Sequence, residues 1–335
     1  MSDGTAWQCK ACVTLDRSVP RPTRADLEAA AAVVATRLAP TPLIAAPTLG
    51  EDVHLKLETF QPTGSFKVRG GLAALARGGA QRPVVTASAG NAGLGVAWAA
   101  AALRVPATVV VSETASPAKL AALQALPVTL VRHGASYDEA EAHALTLAAQ
   151  GATYVSAYND TGVIAGQATI GRELAAQAPG PLTVACPLGG GSLASGLGLW
   201  AAGRAGARVV AIEAERSPAF TTALAAGTIT PIEVGQTLAD GLAGNLEAGA
   251  VTFELVRDHV AAVAQVSEPE LEEAIRFLAR AHGIVAEAAG AAAVAGAMAG
   301  RVVRGEGPLV VIISGRNIAL TRLAAVLGEV EGAGG

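Results

Sequence analysis

Hydrophobic positions along the chain gather into short β-branched or aliphatic runs, at Val84–Thr86, Thr108–Ser112, Thr129–Arg132, Leu182–Cys186, Val209–Glu213, Val260–Val266 and Leu309–Ser314. Between most neighbouring runs lies an alanine-rich segment of helical length, as in Asn91–Leu103, Ser116–Leu126, Tyr137–Gln150 and Leu193–Arg204. Alanine favours helix in all of these and blurs the 3.6-residue periodicity that would mark a single buried face. Most of the strand runs do not alternate with polar residues, which is the pattern of strands covered on both faces. Strand followed by helix, repeated, predicts an α/β fold with a parallel sheet sandwiched by helices. No fixed-period repeat or long linker occurs, so a second lobe is expected to interleave with the first, and the tail Gly332–Gly335 to fray.

Composition narrows the function classes. The chain has 335 residues, 51% hydrophobic and 16% charged, so it can bury a large core and is not a disordered polypeptide. Its net charge is −4 with no block of like charges, which argues against a nucleic-acid or anionic-membrane partner. Positions 174–203 carry no charge, but Pro179, Pro181, Pro187 and a glycine run break them into strand, loop and helix rather than a membrane span. The first residues show no basic region followed by an apolar run, so no secretory signal is expected and the protein reads as cytoplasmic. Three cysteines do not make a disulfide framework. Cys9 and Cys12 have metal-ligand spacing, but a structural zinc needs four ligands and no second pair exists.

Four segments carry candidate chemistry. Lysine is scarce, occurring at 10, 56, 67 and 119, and Lys67 lies in Gln61-Pro-Thr-Gly-Ser-Phe-Lys-Val-Arg-Gly70. Pro62 and Gly64 mark a turn and Ser65 a helix start, so the lysine falls in a first helical turn. The partial positive charge of that helix end disfavours an ammonium and makes a neutral, nucleophilic amine more available. Pro187-Leu-Gly-Gly-Gly-Ser-Leu193 follows a strand and precedes a helix, a phosphate cradle by its glycine N–H groups. Gly189-x-Gly191-x-x-Ala194 also fits a dinucleotide fingerprint, with Glu213 placed for a ribose, so a nicotinamide cofactor stays open on this motif. Ser88-Ala-Gly-Asn91 joins a strand to a helix and can hold a small carboxylate, or merely cap the helix. Ser314-Gly-Arg-Asn317 ends the last apolar strand, where ligands bind in parallel sheets. His54, His133, His143, His259 and His282 lie outside these loops and no G-x-S-x-G elbow occurs, so a Ser–His–Asp hydrolase is not supported. Glu287 reads as an ordinary acid in the first turn of a helix.

Taken together and in order, these segments resemble the fold-type II pyridoxal-phosphate enzymes, specifically the serine/threonine dehydratase family, over roughly residues 40–325. Lys56-Leu-Glu through Gly70 is similar to the family's cofactor-lysine motif, Ser88–Asn91 to its substrate loop and Gly189–Leu193 to its phosphate loop, with Val163–Thr169 and Ser314–Asn317 in the expected places. The resemblance implies two parallel-sheet αβα lobes: a large cofactor-binding lobe from residues 1–81 and 159–335, and a small mobile substrate lobe over 82–158. It implies that Lys67 tethers pyridoxal 5'-phosphate and acts as general base, that Phe66 packs on the ring, and that Asn91 bonds the ring hydroxyl. Gly189, Gly190, Gly191, Ser192 and Leu193 would hold the phosphate, Ser314 would face the ring nitrogen, and Ser88, Ala89, Gly90 and Asn91 would receive the substrate. The implied reaction is dehydration and deamination of a small β-hydroxy amino acid, such as L-threonine or L-serine, to a 2-oxo acid and ammonia. A β-replacement enzyme of the threonine- or cysteine-synthase kind is the nearest alternative. The loop after Asn91, Ala92-Gly93-Leu94, is closer to the serine-dehydratase pattern. Ala89 stands where related racemases need a hydroxyl base, and Arg316 where the family usually has glycine. Ala219 replaces one carboxylate of a family cation site while Glu213 matches another, so no metal is expected. The resemblance further implies a homodimer or homotetramer without a regulatory domain.

Overall fold

The computed structural model describes residues 18–78 and 82–328, so Cys9, Cys12, Lys10 and the Gly332–Gly335 tail lie outside the described residues. In chain order the elements are α1 (Arg24–Ala35), β1 (Leu43–Ala45), β2 (Val53–Leu57), α2 (Lys67–Gly78), β3 (Val84–Ala87), α3 (Asn91–Leu103), β4 (Ala107–Val111) and α4 (Pro117–Gln124). They continue with β5 (Thr129–Arg132), α5 (Tyr137–Ala149), β6 (Thr153–Tyr154), α6 (Thr161–Gln177), β7 (Leu182–Pro187), α7 (Ser192–Ala202), β8 (Ala207–Ala214) and α8 (Ala219–Ala226). The last are α9 (Val251–His259), β9 (Ala262–Val266), α10 (Glu268–His282), α11 (Ala288–Met298), β10 (Leu309–Ile313) and α12 (Leu320–Gly328).

The strands form two sheets. One has the order β1-β2-β10-β7-β8-β9, parallel except for β1, which pairs antiparallel with β2. The other is parallel throughout with the order β5-β4-β3-β6. All four strands of the second sheet fall between residues 84 and 154, and all six of the first lie on either side of that segment. All seven strand runs read from the sequence are present, within two residues at their ends; Val260 belongs instead to the cap of α9. β10 sits inside the larger sheet with helices over both faces, and Val310, Val311, Ile312 and Ile313 are wholly buried. Each such side chain contributes about 1.5–3 kcal/mol relative to exposure, which explains a run with no polar alternation.

Three strands had no signal in the hydrophobic pattern. β6 has two residues and β1 three. β2 reads Val-His-Leu-Lys-Leu, and its Lys56 is fully buried by ion pairing, against the ordinary expectation for lysine. The uncharged stretch 174–203 resolves into the end of α6, strand β7, a glycine loop and α7, and no helix among the described residues is long and apolar enough to cross a membrane.

Helix α2 packs between α1, α3 and α6. Its Val68, Leu72 and Leu75 share a core with Val34 of α1, Val96 of α3 and Val84 of β3. Its backbone also approaches two neighbours closely through glycine. A Cβ on Gly71 would lie 2.6 Å from the carbonyl oxygen of Gly95 in α3, and one on Gly166 of α6 would lie 2.4 Å from that of Arg69. We therefore expect Gly71→Ala to destabilise the fold by about 1–3 kcal/mol, because backbone must move to admit the methyl. Gly78→Ala, at an exposed site with nothing within 4 Å of the added carbon, should instead be neutral or stabilising by up to about 1 kcal/mol. Denaturant unfolding of the two variants checks the pair.

Candidate active site

Lys67 opens α2, as its sequence context predicts, and its position is set from both sides. The N–H of Phe66 donates to the carbonyl of Ser314 at 3.0 Å, and Ser65 pairs with Gly315 in an antiparallel bridge. On the other flank, a Cβ on Gly95 would meet the Lys67 carbonyl carbon at 2.8 Å, so α3 lies directly on the first turn of α2. The Lys67 side chain is half-buried, and its Nζ donates to the carbonyl of Ala157 at 2.8 Å. No carboxylate among the described residues pairs with it. Burial pushes its pKa down to about 8, so a sizeable fraction is neutral near physiological pH. Phe66 is buried beside it, in the core under the larger sheet, with its ring centroid 5.1 Å from Nζ.

The segment that takes the lysine hydrogen bond leads into the glycine loop. Tyr158, next after Ala157, lays its ring against Gly190, where an added Cβ would lie 2.4 Å from the ring. A Cβ on Gly189 would meet the backbone of Leu242 at 2.9 Å, and one on Gly191 would meet Phe220 at 2.6 Å. Gly191 has φ +89°, a conformation open to glycine, and caps α7 with no side-chain hydrogen bond. No protein acceptor among the described residues takes the N–H groups of Gly189, Gly190, Gly191, Ser192 and Leu193. A loop with five free donors at a helix N-terminus is an anion cradle.

Asn91 begins α3, beyond the partly exposed loop Ser88-Ala89-Gly90, where the Ser88 hydroxyl accepts from the N–H of Gly90. Its Nδ2 donates to Glu287 Oε1 at 2.6 Å, and its Oδ1 accepts from Asn317 Nδ2 at 2.6 Å. Ser314 is buried at the end of β10, and Gly315 beside it lies against Glu287, where a Cβ would fall 2.1 Å from Oε1. Lys67, Phe66, Asn91 and Ser314 are thus connected through a few shared hydrogen bonds, with the glycine loop reached through Tyr158. Arg316 is exposed, its N–H donating to the Gly64 carbonyl at 2.9 Å, and nothing in the structure explains its side chain.

Glu287 is the residue that sequence reasoning passed over. It stands at the N-cap of α11, yet its carboxyl does not cap that helix. It is buried against Asn91 instead, and burial raises its pKa to about 7, with Asp240 adding to the rise and Asn91 and Lys119 opposing it. Only the tertiary contact to Asn91 distinguishes it from an ordinary first-turn acid.

Glu213 has a different fate from both readings of its sequence. It is buried, and its oxygens accept from Phe220 N–H at 2.7 Å and from Thr221 N–H and hydroxyl at 2.9 and 2.7 Å, at the start of α8. A carboxylate committed to a helix N-terminus offers nothing to a ribose diol, which removes the acid from the dinucleotide fingerprint.

Comparison with known proteins agrees with this geometry. A family model described as pyridoxal-phosphate dependent enzyme matches residues 34–315. The L-threonine ammonia-lyase of Thermotoga maritima is 36% identical over 285 residues, covering 84% of this chain and 71% of that protein. The processed form of threonine deaminase isoform 2 from Solanum lycopersicum superposes with a TM-score of 0.83 at 28% identity, covering 93% of this chain and 90% of that one. Maize serine racemase superposes with a TM-score of 0.83 at 27% identity, covering 92% and 98%. The chain belongs to the pyridoxal-phosphate-dependent enzymes, and within them to the β-eliminating threonine ammonia-lyase and dehydratase group.

Proposed function

We propose that the protein dehydrates and deaminates a small β-hydroxy amino acid such as L-threonine or L-serine, with Lys67 as both cofactor tether and general base. The observation that carries this reading is a lysine amine partly relieved of its charge by burial, linked through Ala157 and Tyr158 to a glycine loop of unclaimed N–H groups. These features fit pyridoxal phosphate: the loop suits its phosphate, where side chains would collide with Tyr158, Leu242 and Phe220, and the amine suits its aldehyde. When bound, the cofactor supplies an electron sink for negative charge at the substrate α-carbon. Gly189–Leu193 would hold the phosphate through backbone donors. Lys67 Nζ would take the α-proton, which a neutral amine can accept and an ammonium cannot. Ser314 would present a neutral hydroxyl to the ring nitrogen, and Asn91, held by Glu287 and Asn317, would orient toward the ring hydroxyl. The uncapped N-terminus of α3, with the Ser88–Asn91 loop before it, would bind the substrate carboxylate. We further propose that residues 82–158 close as a small lobe over this site, and that the protein works as a homodimer or homotetramer in the cytoplasm.

Three measurements follow. The rate at which the protein captures added pyridoxal phosphate, read as growth of visible absorbance, should rise with pH through about 8 as the Lys67 amine loses its proton. Lys67→Ala should abolish both that band and turnover. Glu287 titrates near 7 in the fold against an ordinary 4.5, so its neutral form is the one the fold prefers. That contribution is complete below pH 4.5 and is lost as pH rises through 7, by roughly 3 kcal/mol between the two limits. Glu287→Gln should therefore flatten the pH dependence of unfolding of the cofactor-free protein over this window. Finally, a panel of β-hydroxy amino acids of both configurations should yield 2-oxo acid and ammonia with no second substrate. A strict need for an added nucleophile would point to β-replacement instead.

A further inference from the structure

The first turn of α2 carries two cations, Lys67 and Arg69, which at 3.6 residues per turn lie on opposite sides of the helix. Lys67 reaches Ala157, whereas Arg69 is wholly buried in a cluster of four charges. Arg69 Nε and Nη2 each donate to one oxygen of Glu58 at 2.8 Å, and Nη1 donates to Glu173 Oε1 at 2.6 Å and Thr169 Oγ1 at 3.2 Å. Lys56, also wholly buried, donates to Glu173 Oε2 at 2.5 Å, Gln177 Oε1 at 2.7 Å and the Thr41 carbonyl at 2.8 Å. Glu58 accepts in addition from the Thr41 hydroxyl at 2.7 Å and from Gln61 Nε2 at 3.2 Å. Two positive and two negative groups balance, and every carboxylate oxygen has a donor. The cluster joins β2, the turn after it, α2 and α6.

Besides Val68, whose side chain packs into the aliphatic core shared with α1 and α3, the close contacts of this turn with α3 and α6 include backbone against glycine. Gly95 of α3 meets the Lys67 carbonyl, Gly71 meets the Gly95 carbonyl, and Gly166 of α6 meets the Arg69 carbonyl. Such contacts fix how close the helices lie, but at those points no side chain interlocks to resist rotation or sliding. A guanidinium held at two edges of one carboxylate is directional and does resist both.

We propose that the Lys56–Glu58–Arg69–Glu173 cluster is a positioning device, with Arg69 and Glu58 at its centre, that fixes the rotation of α2 and so aims Lys67 at Ala157 and the glycine loop beyond it. The proposal rests on the reading of Lys67 as the cofactor tether. Arg69→Ala would leave Glu58 buried without its main partner and is open to simple misfolding. The test is therefore Arg69→Met combined with Glu58→Gln, which removes both charges at similar volume, alongside Arg69→Lys, which keeps the charge and loses the fork. Leu271→Ala, a wholly buried change in α10 outside the cluster, serves as a control for lost stability. Two quantities are read. One is kcat against KM for L-threonine with cofactor saturating. The other is the acetylation rate of Lys67 relative to that of exposed Lys119, by mass spectrometry before cofactor is added.

Both cluster variants should lose roughly 100-fold in kcat, the effect of a displacement near 1 Å, with KM changed by less than about threefold. The Lys67 to Lys119 acetylation ratio should shift by roughly tenfold, equivalent to one pKa unit in the amine. The control should move neither. Values of kcat and acetylation ratio within the range of the control would overturn the proposal, and so would recovery of normal values in Arg69→Lys. Borohydride fixation of the cofactor at a lysine other than Lys67 in the unaltered protein would instead overturn the functional reading, and this proposal with it.

Discussion

The site depends on one short stretch of backbone pairing between segments about 250 residues apart in the chain. The Phe66 N–H bonds the Ser314 carbonyl, the Arg316 N–H bonds the Gly64 carbonyl, and Ser65 lies opposite Gly315. These bonds do not depend on side-chain identity, yet they decide which side chains meet. They set the amine of Lys67 and the hydroxyl of Ser314 on neighbouring strips of chain at the end of β10. The same strip receives α11, since the Glu287 N–H bonds the Gly315 carbonyl, and through Glu287 it receives Asn91 from α3. A parallel sheet leaves its strand ends open for such arrangements, because the helices that cover its faces do not cover its C-terminal edge.

Burial then determines what those groups can do. Desolvation disfavours charge, so it lowers the pKa of Lys67 and raises that of Glu287 toward the same range, about 8 and about 7. An amine and a carboxyl that both approach neutrality near physiological pH can be buried in the fold without forming an ion pair. The buried cluster behind α2 takes the opposite course. Lys56, Arg69, Glu58 and Glu173 are paired closely, with every carboxylate oxygen occupied, as buried charges must be if they are to stay charged. Two residues on one helical turn thus meet opposite electrostatic environments. Among the described residues Lys67 has no carboxylate partner, and Arg69 has two.

Much of this was legible in the sequence, for physical reasons that differ by element. The central strands were visible because a strand covered on both faces must be apolar throughout, as Leu309–Ile313 is. The glycine loop was visible because Gly189, Gly190 and Gly191 leave no room for a Cβ, so their identity reports the packing directly. β2 was hidden by Lys56, whose burial depends on Glu173, more than a hundred residues away. Glu287 was hidden for the same reason: an acid beside a helix start has a cheap local role, and only Asn91 shows that it has another. Glu213 illustrates the reverse error, since a spacing that suits a ribose contact belongs to a carboxylate consumed by α8.

The two seams of α2 are held by different kinds of contact. Toward α6 and β2, α2 is tied by directional bonds through Arg69, and no smaller movement than breaking them would free it. Toward α3 it meets a glycine surface together with aliphatic side chains, which is close but not directional at the backbone. The bonds between the 82–158 segment and the rest of the chain include Lys67 to Ala157, Glu247 to Tyr158, Asn91 to Glu287 and Asn317, and Lys119 to Asp240 at 2.9 Å. All are polar, and the last joins two exposed side chains, so that one exchanges readily for water. Lys67 is thus held from two sides, by the Arg69 cluster behind α2 and by its own bond to Ala157 in the 82–158 segment.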